Sequence, residues 1–583
     1  IFSGETTWEL TRDATGDTLV SGGPYSPPRF GHVLAGIAYP APEDWGTVLL
    51  LVDEPAADSL SPELERLELD LIRDGYRVLR RDIPDGTPVP SVKSVVLAEC
   101  QADPSITTLF ILGNVAVPYS GNVTGAHTDH QGAWPADLYY GELDAEWTDC
   151  TVNNTRASRP ENHNVPGDGK FDQTFLPSDV DLMVGRVDLS RLPAFAESEV
   201  DLLRRYLDKN HAFRTGGVQV PRRGLIRDAV GEIYGAAYAC TGWRNFTAMF
   251  GPGNVNTNTW LPALESNPYL CAYGCGAGSF TSCATVATTA DFATRTIYAV
   301  YTMLMGSYFG DWDSLNNIMR AALAARGYPL TCCWAGRPAW LFHHMALGYP
   351  IGYSTRVTQN NHVLYEIGYG GRQIHTALMG DPTLRLCPVP PPTGLVLEGL
   401  SDHTVRLSWR SPADTVAGYH VYRAESLSSG FTRLDSDLVG DTAFVDAEPV
   451  EGSGIYMVRA VKLETTASGT FLNPSPGVID SIEVSAGVAP LPNSASLRAW
   501  PNPFRAHTTI YCCLPGPAAA NLSIYDAAGR LVKSMDLGEC AQGMHATRWD
   551  GRDSRGRRAA SGVYFMSLKA GEASASAKVI LTE

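Results

Sequence analysis

The sequence predicts an α/β domain, a mostly parallel sheet with helices on both faces, followed by two all-β sandwich domains. Three observations carry this. Residues 47–53 (Thr-Val-Leu-Leu-Leu-Val-Asp) form a continuous apolar run, the kind buried on both faces of a parallel sheet. Strand and helix signals then alternate as far as Gly113, the pattern of an open sheet with crossover helices. Beyond the run Pro388-Val389-Pro390-Pro391-Pro392, apolar residues recur with period two between turn residues, the signature of sandwich strands.

The elements follow in order. Residues 1–44 are rich in Gly, Pro, Thr and Ser and read as an extended arm lying on the body. After the strand at 47–53, Ser61 is placed to cap a helix, Pro62 suits its first position, and Leu64, Leu67 and Leu71 share one face until Gly75 ends it. A strand at 76–80, a helix over 92–100 and a strand at 107–112 come next, and 297–305 is expected in the same sheet. The α/β domain is assigned to residues 45–387. The proline run reads as a stiff linker into a sandwich over 388–487, with strands near 405–409, 418–423 and 454–460 and one buried Trp409. Residues 488–583 form the last all-β domain.

Length and composition narrow the function. At 583 residues, with 44% hydrophobic and 18% charged residues, the chain is globular and too long for one core. It has no run of 18 apolar residues, so no membrane-spanning helix is expected. It begins with Ile, which fits a mature chain freed of a signal peptide and a secreted or cell-surface location. The net charge of −17 argues against nucleic acid as a partner. Residues 488–583 run the other way, with eleven Lys and Arg against seven Asp and Glu. Arg552, Arg555, Arg557 and Arg558 in one loop suit docking onto acidic surfaces, including a second copy of the chain. The twelve cysteines follow no metal motif, and Cys512 or Cys513 is expected to pair with Cys540.

Several motifs bear a resemblance. Val117-Pro118-Tyr119 follows a strand, then come Pro135-Ala136-Asp137-Leu138-Tyr139-Tyr140, Asp181-Leu182-Met183-Val184-Gly185-Arg186-Val187 and Leu378-Met379-Gly380-Asp381-Pro382. In this order they resemble the caspase/gingipain-like cysteine peptidases, over residues 45–387. The resemblance implies a Gly-His-Gly turn carrying the general base, but here the turn reads Gly274-Cys275-Gly276. The next strand, where the family nucleophile would fall, holds no cysteine, and Ser307 is the nearest candidate. What this implies is an inactive homologue acting as a surface or extracellular binding or structural protein, self-assembly included. The alternative is an active secreted cysteine endopeptidase using Cys275. The first sandwich resembles a fibronectin type III domain. The segments Trp500-Pro501-Asn502-Pro503-Phe504, Tyr525-Asp526-Ala527-Ala528-Gly529-Arg530 and Gly562-Val563-Tyr564 resemble a FlgD-like Ig-type domain and the sorting domains of type IX secretion cargo. That resemblance implies export, with the secretion machinery or the cell surface as partner.

Candidate chemistry lies in four places. Cys275 is a candidate nucleophile whose flanking glycines would admit a substrate backbone, with His343, His344 or His375 as possible bases. Ser307 sits in a Gly306–Gly310 frame that can expose a hydroxyl but has no base nearby in sequence. Of its neighbours Asp311 and Asp313, the latter is the better cap for a helix near Leu315. His127, Asp129 and His130 form a ligand-type cluster that Asp137 or Asp144 would complete for zinc. Finally, Asn162, Asn164, Asp168 and Asp172 surround the glycine-bearing loop 167–172, and a Ca2+ site is expected there through Asp168, Asp172 and Asn164. No organic cofactor is expected.

Overall fold

The computed structural model describes residues 7–9, 32–40, 42–125, 127–233, 236–362, 370–400, 404–450, 452–484, 495–500 and 502–582. Two compact units result: Ile1–Glu398 with Val405–Asp446 and Ser453–Ile482, and Gly399–Thr404 with Ala447–Gly452 and Glu483–Glu583.

The first unit is built on a ten-stranded sheet. Its spatial order is Val255–Thr257, Gly224–Asp228, Tyr269–Cys275, Ala299–Met305, Thr331–Trp334, Leu378–Gly380, Met183–Val187, Ile106–Leu112, Thr47–Asp53 and Arg77–Ile83. The short strand Leu378–Gly380 runs antiparallel to Thr331–Trp334 and meets the next strand through Met379 and Arg186. The neighbours on either side are parallel. The three strands expected in one sheet are all in it. Every residue of Thr47–Asp53 and of Ala299–Met305 is buried, as strands covered on both faces must be.

Helices cover the sheet where the apolar spacing puts them. In Ser61–Arg73, Leu64, Leu67 and Leu71 face the core. The expected cap is displaced by one residue: Leu60 precedes the helix, and Ser61 is its first residue, bonding Glu65 instead. Val89–Ala102 starts earlier than its apolar face suggested, because Pro90 is accepted in the first turn. Glu199–Arg214 is capped by Ser198, whose side chain accepts from the Asp201 amide.

The first sandwich is docked rather than tethered. Trp409 is buried in it against Tyr419, with ring centroids 5.2 Å apart. The proline run leads straight into contacts that fix the sandwich on the α/β part. Arg385 donates to the Asn473 side chain at 2.7 Å and to the Pro474 carbonyl at 2.9 Å. Asn473 in turn donates to the Cys387 carbonyl at 2.7 Å. Asp74 receives Arg385 at 2.8 Å and Arg214 at 2.6 Å, while Arg459 of the sandwich reaches the Asp74 and Glu43 carbonyls. Burial opposes charge on Asp74, but Arg385, Arg214 and Arg459 outweigh it and hold its pKa below the ordinary carboxylate range. Of the N-terminal arm, Gly36–Pro40 adds a strand in parallel to Gly469–Pro474 of the sandwich. Most of residues 1–31 lie outside the described residues.

The second unit contains two antiparallel sheets, Ser496–Trp500/Thr508–Leu514/Gly543–Trp549 and Leu531–Cys540/Ala518–Asp526/Gly562–Ala570/Ala573–Leu581. Phe504, Ile510, Leu522, Trp549, Tyr564 and Met566 fill the space between them. Cys512, Cys513 and Cys540 are free thiols, so the expected Cys540 pairing is not formed. Cys512 points its sulfur at the His545 carbonyl and Cys540 at the Leu537 carbonyl, as small buried residues do.

Candidate functional site

Cys275 ends its strand in register with Met305, the last residue of the neighbouring strand. The two strand ends therefore share one edge of the sheet, as expected. The thiol does not open onto it. Cys275 is 0% exposed, and its sulfur donates to the Asp228 carboxylate at 3.0 Å. Burial, and then the carboxylate, push the thiol's pKa well up. A nucleophilic thiolate needs the opposite environment, a neighbouring cation or imidazolium.

The flanking glycines also have a structural cause. A Cβ on Gly276 would lie 2.2 Å from the Ala284 carbonyl oxygen, and one on Gly274 would lie 2.4 Å from the Val286 Cγ1. Close packing of the chain on itself demands glycine here, so the expectation that these glycines admit a substrate is corrected. The later histidines serve elsewhere. His375 bonds the Arg337 carbonyl at 2.9 Å, burial drives its pKa down to about 3, and His343 and His344 pack against each other at 4.0 Å.

Ser307 differs. It is half-buried just beyond Ala299–Met305, and the Nε2 of His127 lies 2.9 Å from its hydroxyl. The His127 ring stacks on Tyr308, with centroids 4.9 Å apart and planes 18° from parallel. Tyr308 is left-handed at φ 70°, a conformation that costs a tyrosine roughly 1–3 kcal/mol, and its hydroxyl donates to Asp129 at 3.1 Å. The expected zinc cluster is thus divided among other tasks. Asp129 holds Tyr308, His130 bonds Asp311 at 2.9 Å, and Asp137 binds Arg186 through two bonds of 2.8 Å. Among the described residues no group of three such ligands converges on one point.

A buried polar network pins the segment after Ser307. Asp311 accepts from Asn162 at 2.7 Å as well as facing His130. Asp313 is not the helix cap: it pairs with Arg159 at 2.7 Å and accepts from Tyr119, while Asn317 caps Ile318–Ala324. Arg320 ties that helix to Asp188 at 3.2 Å and to the Ser314 carbonyl at 2.7 Å. Arg186 lies 5.2 Å from the Trp312 ring and donates to the Val115 carbonyl. The segments that leave Leu112, Val187 and Met305 meet through these contacts.

Two of the expected calcium ligands, Asp172 and Asp168, are engaged by protein donors. Asp172 accepts from the Cys150, Thr151 and Val152 amides and the Thr148 hydroxyl, which fills its four lone-pair positions. These bonds outweigh burial and lower its pKa strongly. Asp168 accepts from the Val165 and Lys170 amides, and Asn164 is buried with its amide on the Gly121 and Phe171 carbonyls. These bonds hold the loop on Asp168 and Asp172, while the Asn164 Oδ1 is buried without a hydrogen-bond partner among the described residues.

The FlgD Ig-like domain family model matches residues 505–574. Among solved structures, the Arg-specific cysteine proteinase gingipain R aligns over 75% of this chain and 99% of its own, at 12% identity and a TM-score of 0.46. Dimeric latent PorU from Porphyromonas gingivalis aligns over 92% of this chain and 64% of its own, at 13% identity and a TM-score of 0.27. FlgD from P. aeruginosa covers 15% of this chain at 21% identity and a TM-score of 0.12. No curated protein matches. At these identities and scores the structural likenesses bear on no activity. Among the described residues, no helix is long and apolar enough to cross a membrane.

Proposed function

We propose that this chain is an exported, modular bacterial protein whose α/β unit does not work as a thiol peptidase. It acts at the cell surface or outside the cell, with the FlgD-like domain as its anchor and the sheet edge beyond Met305, where Ser307 and Tyr308 are half-buried, as its binding face. The observation that carries this reading is the state of Cys275: buried, hydrogen-bonded to a carboxylate rather than an imidazole, and held as a neutral thiol. An acidic partner raises a thiol's pKa where a catalytic dyad must lower it. The basic surplus of residues 488–583 supports attachment of the last domain to acidic surfaces.

Incubation with an unfolded protein substrate under reducing conditions tests the reading. The expected result is equal, background-level cleavage by the native chain and by Cys275→Ala. Cleavage by the native chain that Cys275→Ala abolishes would overturn it.

A further inference from the structure

The edge that Cys275 leaves unused holds a different pair of reactive side chains. We propose that Ser307 and His127 form a serine-type acyl-transfer site, with Ser307 as nucleophile and His127 as general base, acting on uncharged carboxylic esters. This goes beyond the reading above, since it needs neither Cys275 nor export.

Position, distance and strain support the pair. Ser307 lies two residues past the end of a central strand, half-buried, with its hydroxyl 2.9 Å from the His127 Nε2. That distance is within the reach a general base needs for the proton it removes. The exposed His127 ring would otherwise be free to rotate, but it lies flat on Tyr308 at 4.9 Å. Tyr308 is fixed in turn by its left-handed backbone and its bond to Asp129. A strained residue directly after the nucleophile, itself holding the base, has a mechanistic purpose that a surface hydrogen bond does not require. Tyr308 is thus a positioning residue.

The surroundings specify the substrate. The Phe280 ring packs 5.1 Å from that of Tyr308, offering an apolar wall beside the hydroxyl. The Asp129 carboxylate next to it repels anionic substrates, and the nearby guanidinium of Arg159 is already committed to Asp313. Among the described residues no carboxylate bonds the second ring nitrogen of His127, so the pair lacks the third member that orients the base of a full triad. Such a pair suits an ester whose leaving group departs readily, not an amide.

The step balances without a further reactant. As Ser307 Oγ bonds to the acyl carbon, its proton passes to His127 Nε2. The carbon–oxygen bond to the alcohol then breaks, and the departing oxygen takes that proton. Water, deprotonated by His127, attacks the acyl-serine, releasing the acid and returning the proton to Ser307.

The test uses the full chain, with p-nitrophenyl acetate turnover and a fluorophosphonate label mapped by peptide mass spectrometry. Native protein and Cys275→Ala are expected to turn over the ester and carry the label on Ser307. In Ser307→Ala both should vanish. In His127→Gln both should fall by about 100-fold or more, the lower range for loss of a general base. Unchanged thermal midpoints would show that the variants remain folded, as expected for an exposed and a half-buried side chain outside the core. Labelling elsewhere, no labelling of the native chain, or a His127→Gln variant that reacts as fast as the native chain would overturn the proposal. Loss of turnover in Cys275→Ala alone would instead contradict the earlier reading.

Discussion

Asp74→Ala is expected to destabilise the first unit by about 3–5 kcal/mol, the usual cost of removing one partner from a buried ion network. Asp74 is 4% exposed and is shared by two guanidiniums, Arg214 at 2.6 Å and Arg385 at 2.8 Å, from different parts of the fold. Without it, Arg214 keeps Asp381 at 2.6 Å, but Arg385 is left with only the neutral Asn473 and Pro474 acceptors. Arg385 also anchors the docked sandwich, so the loss should appear as separation of its unfolding from that of the α/β part. Denaturant melts followed by tryptophan fluorescence check this: one transition for the first unit in the native chain, two in the variant. A single transition with an unchanged midpoint would show that the network contributes nothing to docking. Asp74→Asn, which keeps the shape and part of the hydrogen bonding, should fall between.

A loss of similar size, about 3–5 kcal/mol at neutral pH, is expected for Arg186→Ala. Arg186 is 0% exposed and grips Asp137 through two bonds, while donating to the Val115 carbonyl and lying against Trp312. Burial keeps the Asp137 pKa above the ordinary carboxylate range even though Arg186 opposes it. Removing Arg186 raises that folded-state pKa further above its unfolded value. A carboxyl shifted in this direction favours the folded state below its unfolded pKa, and the benefit is lost as pH rises through the folded pKa. The deficit of Arg186→Ala should therefore shrink on acidification. Melts at neutral and mildly acidic pH measure it, and a deficit that grows as pH falls would contradict the account. The same variant loosens the contact of the 113–137 segment with Trp312, so it should also weaken the pairing of His127 with Ser307.

The strands and helices were legible in the sequence because their signals are local. The apolar run at 47–53 and the Leu64, Leu67, Leu71 face lie within a few turns of chain, and each forms the element its period specifies. The alternating sandwich strands were legible for the same reason. Side-chain pairing was not. Ser307 was a candidate from its frame, but its base lies 180 positions earlier, in a histidine-bearing loop read as a metal cluster. Asp313 looked like a cap because a helix follows, whereas Arg159, 154 residues away, claims it. Cys275 could be placed at the sheet edge from its turn, but its fate depends on Asp228, a strand neighbour 47 residues distant. Likewise the proline run suggested a stiff spacer, and only the contacts of Arg385 with Asn473 and of Arg459 with the Asp74 carbonyl, 88 and 385 residues apart, show the sandwich docked. In each case the decisive partner is brought close by sheet order, which no local pattern encodes.

The most direct test of the central claim is the alkylation of cysteines in the native chain at neutral pH, quenched over time and mapped by peptide mass spectrometry. Cys150 is exposed and serves as the internal reference, whereas Cys275 is buried against Asp228. A neutral, enclosed thiol should react slowly, because the thiolate fraction falls about tenfold for each unit of raised pKa. The account predicts that Cys275 is modified at least about 100-fold more slowly than Cys150, and at a comparable rate only after unfolding. Stoichiometric modification of Cys275 in the folded protein, as fast as Cys150 or faster, would mean an activated nucleophile and would contradict it.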